Sequence, residues 1–241
     1  MNFKTKFNNI LKKNKKLVCL TAYTAPMASL INKYTDLILV GDSLGIVLYD
    51  FPTTRKVSLE MMINHARAVV KNSNNNLVVV DMPYGSYEKS GPVALKNARK
   101  IIKESKADAV KLEGGEKIHK IVKFLTKNGV NVMGHLGMLP QSMSGIPKVY
   151  GKKKIEKKQI LKDMKLLEDA GVFAIVVECT IEPVVKDILK KKTVPIIGIG
   201  ASPNCDGQIL VTEDILGITN FKAKFIKKYF DFNKVGRNIL K

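Results

Sequence analysis

Five short apolar runs end in chemistry-bearing side chains. Leu37-Ile-Leu-Val-Gly41 is followed by Asp42 and Ser43, and Leu77-Val-Val-Val80 by Asp81. Ala109-Val-Lys-Leu112 is followed by Glu113, Val130-Asn-Val-Met-Gly134 by His135, and Phe173-Ala-Ile-Val-Val177 by Glu178. Lys111 lies two residues before Glu113, on the same face of an extended segment. One such carboxylate would be an ordinary loop opener. Four of them with a histidine form a site if the fold gathers them. Two carboxylates about 4 Å apart repel by about 4 kcal/mol at an effective dielectric near 20. A cluster of them must protonate, spread apart or bind a cation. Oxygen donors with few nitrogens suit a hard ion, Mg2+ first, with Mn2+ or Co2+ able to substitute.

The elements that would gather these residues are readable from periodicity. The apolar runs, with Leu17-Val-Cys-Leu-Thr21 and Val194-Pro-Ile-Ile-Gly198 added, suit strands buried on both faces of a parallel sheet. Helical patterns alternate with them. Ser58 is a candidate N-cap for a helix to Lys71 with Leu59, Met62, Ile63, Ala66 and Val70 on one face. Pro92 fits a first helical turn ahead of Leu95, Ala98, Ile101 and Ile102. Ile121, Phe124 and Leu125 follow, then Ile160, Met164 and Leu167 before Gly171. Strand–helix units repeated seven or eight times without a linker-like break predict one (β/α)8 TIM barrel over residues 1–241, whose strand ends open onto a single mouth. A doubly wound open sheet is the alternative, and no GxGxxG follows the first strand to support it. Asn72–Asn76 reads as a polar turn. Gln141–Lys158 is a long loop after a strand end, a candidate lid over the mouth.

Composition bounds the function classes. The chain has 241 residues, 45% of them hydrophobic and 26% charged, and no Trp. That suits a globular domain with a sizeable core. No apolar run approaches a membrane span, and Met1–Lys16 lacks the apolar centre of a secretory signal. Cys19, Cys179 and Cys205 make no CxxC or zinc spacing, which fits a reduced cytoplasm. Cys179 and Cys205 are assigned to packing, since no base stands at a recognisable spacing. The net charge of +20 raises the possibility of nucleic-acid binding. Against it, only Arg55, Arg67, Arg99 and Arg237 among the 41 basic residues are arginine, the residue suited to bidentate phosphate and base contacts. Lysine richness of this kind follows from A/T-rich codons, and no specific nucleic-acid partner is expected. His65 reads as a structural residue within the Ser58 helix, and His119 as solvent-exposed. His135 alone occupies a mouth position, where it either orients a reactant or is a satisfied structural histidine.

Taken in order, the strand-end motifs resemble the ketopantoate hydroxymethyltransferase family. They are Leu20-Thr-Ala-Tyr23, Val40-Gly-Asp-Ser-Leu-Gly45, Val57-Ser-Leu-Glu-Met-Met-Ile-Asn-His65, Asp81-Met-Pro-Tyr-Gly-Ser-Tyr87 and Val110-Lys-Leu-Glu-Gly-Gly115. Val132-Met-Gly-His-Leu-Gly137, Pro140-Gln-Ser142, Glu178-Cys179, Ile196-Ile-Gly-Ile-Gly-Ala201 and Cys205-Asp-Gly-Gln-Ile-Leu-Val211 continue the series. The resemblance implies a barrel of the phosphoenolpyruvate/pyruvate type and one Mg2+ per subunit, held by Asp42, Asp81 and Glu113. It implies that 3-methyl-2-oxobutanoate contacts Asp42, Ser43, Asp81 and Lys111, and that Glu178 is the catalytic base. It further implies 5,10-methylenetetrahydrofolate as co-substrate, ketopantoate as product and a homo-oligomer, typically a decamer. The chemistry is consistent: a metal and Lys111 stabilise the enolate formed when a base takes the C3 proton, and the enolate then attacks the one-carbon unit. His135 is given an orienting role toward the substrate in this scheme.

Departures from the family pattern fall in loops. Thr24 stands where Asp or Glu is usual, Asp50 or a neighbour where Gly is usual, and Gly145-Ile-Pro-Lys-Val-Tyr-Gly151 is one residue short. Another metal-dependent 2-oxo-acid lyase on the same barrel is the nearest competing reading. The Lys-Lys-Cys-Gly-His context of the isocitrate lyase branch is absent from the sequence.

Overall fold

The computed structural model describes residues 2–13, 16–74, 76–143 and 148–239. Eight parallel strands close into a barrel in chain order, β1 Leu17–Thr21, β2 Leu37–Val40, β3 Leu77–Asp81, β4 Ala109–Glu113, β5 Val132–Gly137, β6 Ala174–Glu178, β7 Ile196–Ile199 and β8 Gly207–Leu210. β8 returns to pair with β1, with Leu17 beside Gly207 and Cys19 beside Ile209. The expected (β/α)8 architecture is therefore present. β8 itself was not among the apolar runs, because Gly207-Gln-Ile-Leu210 is short and half polar.

Helices follow the strands and cover the barrel. They are α1 Phe3–Lys13, α2 Ala25–Ile31, α3 Leu44–Tyr49, α4 Leu59–Lys71, α5 Gly91–Ser105, α6 His119–Lys127, α7 Lys154–Asp169, α8 Glu182–Lys191, α9 Thr212–Ile215 and α10 Phe232–Ile239. No helix stands between β7 and β8. The Ser58 cap is present, its hydroxyl accepting from the Met61 N–H. α4 buries Met62, Ile63, Ala66 and Val69, with Leu59 and Val70 half-buried against the same core. Lys154–Lys158 belongs to α7 and not to a loop, and Gln141 is buried in a 3-10 turn, Pro140–Ser142. The candidate lid thus shrinks to the stretch between that turn and α7, and residues 144–147 within it lie outside the described residues. Among the described residues no helix is long and apolar enough to cross a membrane.

Strand alternation divides the core in two. Ile38, Val40, Val78, Val80, Val110, Leu112, Ile175 and Val177 point outward against the helices. Leu37, Leu39, Leu77, Val79, Ala109, Met133, Ala174 and Val176 fill the lumen. α1 closes the lumen from the strands' N-terminal side. Its Phe3 and Phe7 meet Phe173 edge-on, with ring centroids 4.9 and 5.0 Å apart. The Lys/Asn-rich N-terminus, which carries no strong helical signal, is therefore a plug. With one end of the lumen apolar and sealed, the same inward positions at the other end are left for polar residues.

Two of the family departures have local reasons. Asp50 ends α3 in the left-handed region with φ 53°, the conformation in which Gly is favoured. Thr24 caps α2, its hydroxyl accepting from the Met27 N–H.

Gly137, at the end of β5, has φ 88°, and a methyl group there would lie 2.1 Å from the Glu178 carbonyl oxygen. Gly137→Ala is expected to cost about 3 kcal/mol or more in chemical denaturation, through strain and displacement of the β6 end. Wild-type stability would contradict this packing.

α9 carries a buried acidic pair that the motifs did not reveal, Glu213 and Asp214. Thr212 ties this corner to β1, its N–H donating to Thr21 Oγ1 and its hydroxyl to the Thr21 carbonyl. Burial pushes the Glu213 carboxyl up to about 7, with its own backbone N–H opposing and Asp214 adding to the rise. The folded chain then keeps a proton that the unfolded chain has lost, so this group's contribution to stability falls as pH rises from about 4.5 to 7. Glu213→Gln removes that loss. In urea denaturation its stability relative to wild type should be higher at pH 8 than at pH 4.5, and an equal difference at both would refute the assignment.

Candidate active site

The inward alternation that fills the lumen with apolar side chains continues to its open end. Positions 77 and 79 lead to Asp81, 109 to Lys111 and Glu113, 133 to His135, and 174 and 176 to Glu178. Strand register then sets neighbours side by side. Asp81 pairs with Lys111 across β3 and β4, and Glu113 with His135 across β4 and β5. Asp42 follows β2 after Gly41. The bare Cα of Gly41 makes room there, since a methyl group would sit 2.8 Å from Ser43 Oγ and 3.5 Å from Asp81 Oδ2. All six residues singled out for the barrel's interior therefore meet at one end of it. Ser43 stands at the edge, its Oγ 2.8 Å from the buried Tyr23 hydroxyl.

The contacts form one connected group. The Asp42 N–H donates to Asp81 Oδ2 at 3.0 Å. Lys111 Nζ lies 2.9 Å from Asp81 Oδ1 and 3.2 Å from His135 Nδ1. His135 Nδ1 is 3.5 Å from Glu113 Oε1, and Nε2 is 3.0 Å from Glu178 Oε2. Asp42, Asp81, Lys111, Glu113 and His135 are buried, while the Glu178 side chain is 14% exposed and faces the opening.

Gln141 is a member of this group that sequence reasoning placed in a lid. Its side-chain Nε2 donates to Asp42 Oδ2 at 2.8 Å and its main-chain N–H to Glu113 Oε2 at 3.0 Å. The Pro140-Gln-Ser142 motif marked the spot, but no strand alternation reaches it.

Burial and mutual repulsion set the electrostatics. Burial is the largest cause of a rise in Asp42 to about 8, with the Asp81 and Glu113 charges adding to it against Lys111 and Gln141. Burial also lifts Asp81, although Lys111 pulls the other way. Burial would raise Glu113 too, yet His135, Lys111 and the Gln141 N–H outweigh it and hold Glu113 low. Burial would lower Lys111, but the surrounding carboxylates hold its ammonium firmly protonated. Burial and Lys111 press on His135 in the same sense, and its two carboxylate neighbours prevail, raising it to about 9.

The donor set suits a hard divalent ion in chemistry and place. Three carboxylates on adjacent strand ends offer only oxygen, and Asp81 Oδ1 is buried with no directed hydrogen bond, its Lys111 contact being an ion pair. Each carboxylate is at present turned toward a protein partner. Among the described residues no trio of His, Cys, Asp or Glu side chains stands grouped to hold a metal, so the oxygens of Asp42, Asp81 and Glu113 would have to draw together around an ion.

The remaining candidates lie apart from this group. His65 bridges elements, with Nδ1 2.6 Å from the Tyr23 carbonyl and Nε2 3.0 Å from the Tyr49 hydroxyl. His119 is half-buried rather than exposed, and its Nδ1 lies 2.7 Å from the Glu116 carbonyl one turn back. Cys179 sits beside Glu178, where burial and that carboxylate push its thiol up to about 11, which fits packing rather than nucleophilic attack.

Comparison with known proteins agrees with the geometry. A phosphonopyruvate hydrolase in complex with oxalate and Mg2+ superposes with a TM-score of 0.67 at 12% identity, covering 88% of this chain and 81% of that one. A 2,3-dimethylmalate lyase of the PEP mutase/isocitrate lyase superfamily superposes at 0.64 with 11% identity, over 100% and 83%. These likenesses establish the barrel fold. A 3-methyl-2-oxobutanoate hydroxymethyltransferase of Pelagibacter ubique (strain HTCC1062) is 54% identical over 228 residues, 94% of this chain and 88% of its own. Residues 3–241 match the family described as ketopantoate hydroxymethyltransferase. The chain belongs to the ketopantoate hydroxymethyltransferase family.

Proposed function

We propose that the barrel mouth transfers a hydroxymethyl group from 5,10-methylenetetrahydrofolate to 3-methyl-2-oxobutanoate, giving ketopantoate and tetrahydrofolate for pantothenate synthesis. The observation that carries this reading is the arrangement at one barrel end of an acidic trio, a buried ammonium and a partly exposed carboxylate in a member of this family.

Asp42, Asp81 and Glu113 would hold one Mg2+. Bound there, the ion supplies a Lewis acid that polarises the substrate's 2-oxo group. The chain's own residues perform the rest. Lys111 supplies a fixed positive charge beside the acidic trio, where it meets the substrate carboxylate or the oxygen on which negative charge develops. Ser43 offers a hydroxyl at the rim, backed by the buried Tyr23 hydroxyl. Glu178 reaches the opening and takes the proton from C3. His135, 3.0 Å from its Oε2, orients that carboxylate. The electron pair released at C3 forms the new C–C bond to the folate-borne carbon, tetrahydrofolate departs as the C–N bonds break, and one water balances the change from methylene to hydroxymethyl. The many lysines are dispersed over the helices, several of them in surface ion pairs such as Lys157–Asp187 and Lys186–Glu182. A positive surface of this kind attracts anionic substrates without a nucleic-acid footprint.

Purified protein with Mg2+, 3-methyl-2-oxobutanoate and methylenetetrahydrofolate is expected to form ketopantoate. Folded protein that binds Mg2+ but makes no product would overturn the reading. Glu178→Gln should keep Mg2+ binding while slowing exchange of the substrate's C3 proton in deuterated water about a hundredfold or more. Unchanged exchange, followed by NMR, would remove Glu178 from the base role.

A further inference from the structure

Gln141 holds more of the acidic trio than any other uncharged side chain near it. The residue is 2% exposed and all of its polar groups are used toward the site or its wall, apart from its own carbonyl. Its Nε2 donates to Asp42 Oδ2 at 2.8 Å and to the Met82 carbonyl at 2.9 Å. Its Oε1 accepts from the Tyr87 hydroxyl at 2.7 Å, and its main-chain N–H donates to Glu113 Oε2 at 3.0 Å. Tyr87 is itself buried and anchored, its oxygen 3.3 Å from the Glu113 N–H that it accepts.

This pattern leaves the amide only one orientation. Turned over, it would set its oxygen against the Met82 carbonyl, which can only accept, and against the Asp42 carboxylate. The Met82 carbonyl therefore fixes which end of Gln141 faces Asp42, and the Tyr87 hydroxyl steadies the other end. One residue then restrains two carboxylates from different strand ends, Asp42 through its side chain and Glu113 through its main chain. The third, Asp81, is tied to Asp42 by the Asp42 N–H.

We infer that Gln141 is a positioning residue for the divalent-cation centre: it fixes one oxygen of Asp42 and one of Glu113, leaving the other oxygen of each to the ion. The inference rests on the reading of Asp42, Asp81 and Glu113 as the ion's ligands. Groups that hydrogen-bond a ligating carboxylate orient it, and their loss weakens metal binding about 10- to 100-fold. A glutamine that merely satisfied a buried pocket would affect folding and leave the cation affinity alone.

The test is calorimetric titration of Mg2+ into the full-length wild type, Gln141→Met and Tyr87→Phe. Gln141→Met conserves volume and the main-chain bond to Glu113 but removes the hold on Asp42. Its Mg2+ affinity is expected to fall about tenfold. Tyr87→Phe removes the bond that steadies the Gln141 Oε1, with a fall of about threefold in the same direction. Turnover should be recovered by raising Mg2+, so that the Mg2+ concentration for half-maximal rate rises while the rate at saturation stays near wild type. Wild-type Mg2+ affinity in a folded Gln141→Met variant, or a lowered saturated rate without a change in affinity, would overturn the inference. If Gln141→Met does not fold, an unchanged affinity in Tyr87→Phe overturns it. A wild type that binds no Mg2+ would overturn the metal reading itself, and the positioning role with it.

Discussion

The molecule is organised around an excess of buried negative charge at one end of a barrel. Asp42, Asp81 and Glu113 lie within the protein, and the cations beside them are Lys111 and the protonated form of His135. The repulsion among the carboxylates and the penalty of burying them raise Asp42 and Asp81, while Glu113 is held low by His135 and Lys111. Such an arrangement persists in a fold only if the surrounding structure over-determines it. Here it is over-determined by strand register, which sets Lys111 beside Asp81 and His135 beside Glu113, and by the Gln141 turn that crosses the opening. A hard cation answers the same excess of charge, and this is why the site's electrostatics and its proposed chemistry are one subject.

The barrel makes this possible by separating duties along a single set of inward positions. At the closed end those positions are Leu, Val, Ala, Met and Cys, sealed by Phe3 and Phe7 of the first helix. At the open end they are Asp, Lys, Glu and His. Packing at one end supplies the rigidity that polar groups at the other end require, since a site held loosely by about 1 Å loses much of its preorganisation. Gly137 and Gly41 serve the same purpose by letting the backbones and side chains of neighbouring strands approach closely.

Most of this was legible in the sequence because strands announce themselves by apolar runs and their ends by a change of residue type. Asp81, Lys111, Glu113, His135 and Glu178 all lie on the period-two continuation of such runs, so their convergence followed once a closed parallel barrel was assumed. β8 was not visible, because Gly207 and Gln208 break its apolar character and β1 supplies the pairing that makes it a strand. α1 was hidden by a Lys/Asn-rich composition, its role decided by three phenylalanine rings that meet only in three dimensions. Gln141 was misplaced for a related reason. A glutamine after a proline reads as a loop residue, and its four hydrogen bonds run to residues 28 to 99 positions away. His119 is a smaller misreading, since it is half-buried at the start of α6.

The chemistry proposed for the barrel mouth requires that the three carboxylates share one ion. A crystal of the protein soaked with Mn2+ and read by anomalous scattering tests this directly. One ion per chain at the barrel mouth, with oxygens of Asp42, Asp81 and Glu113 as its protein neighbours, is the predicted result. An ion bound elsewhere, or a fully soaked crystal with no ion between these three side chains, would contradict it.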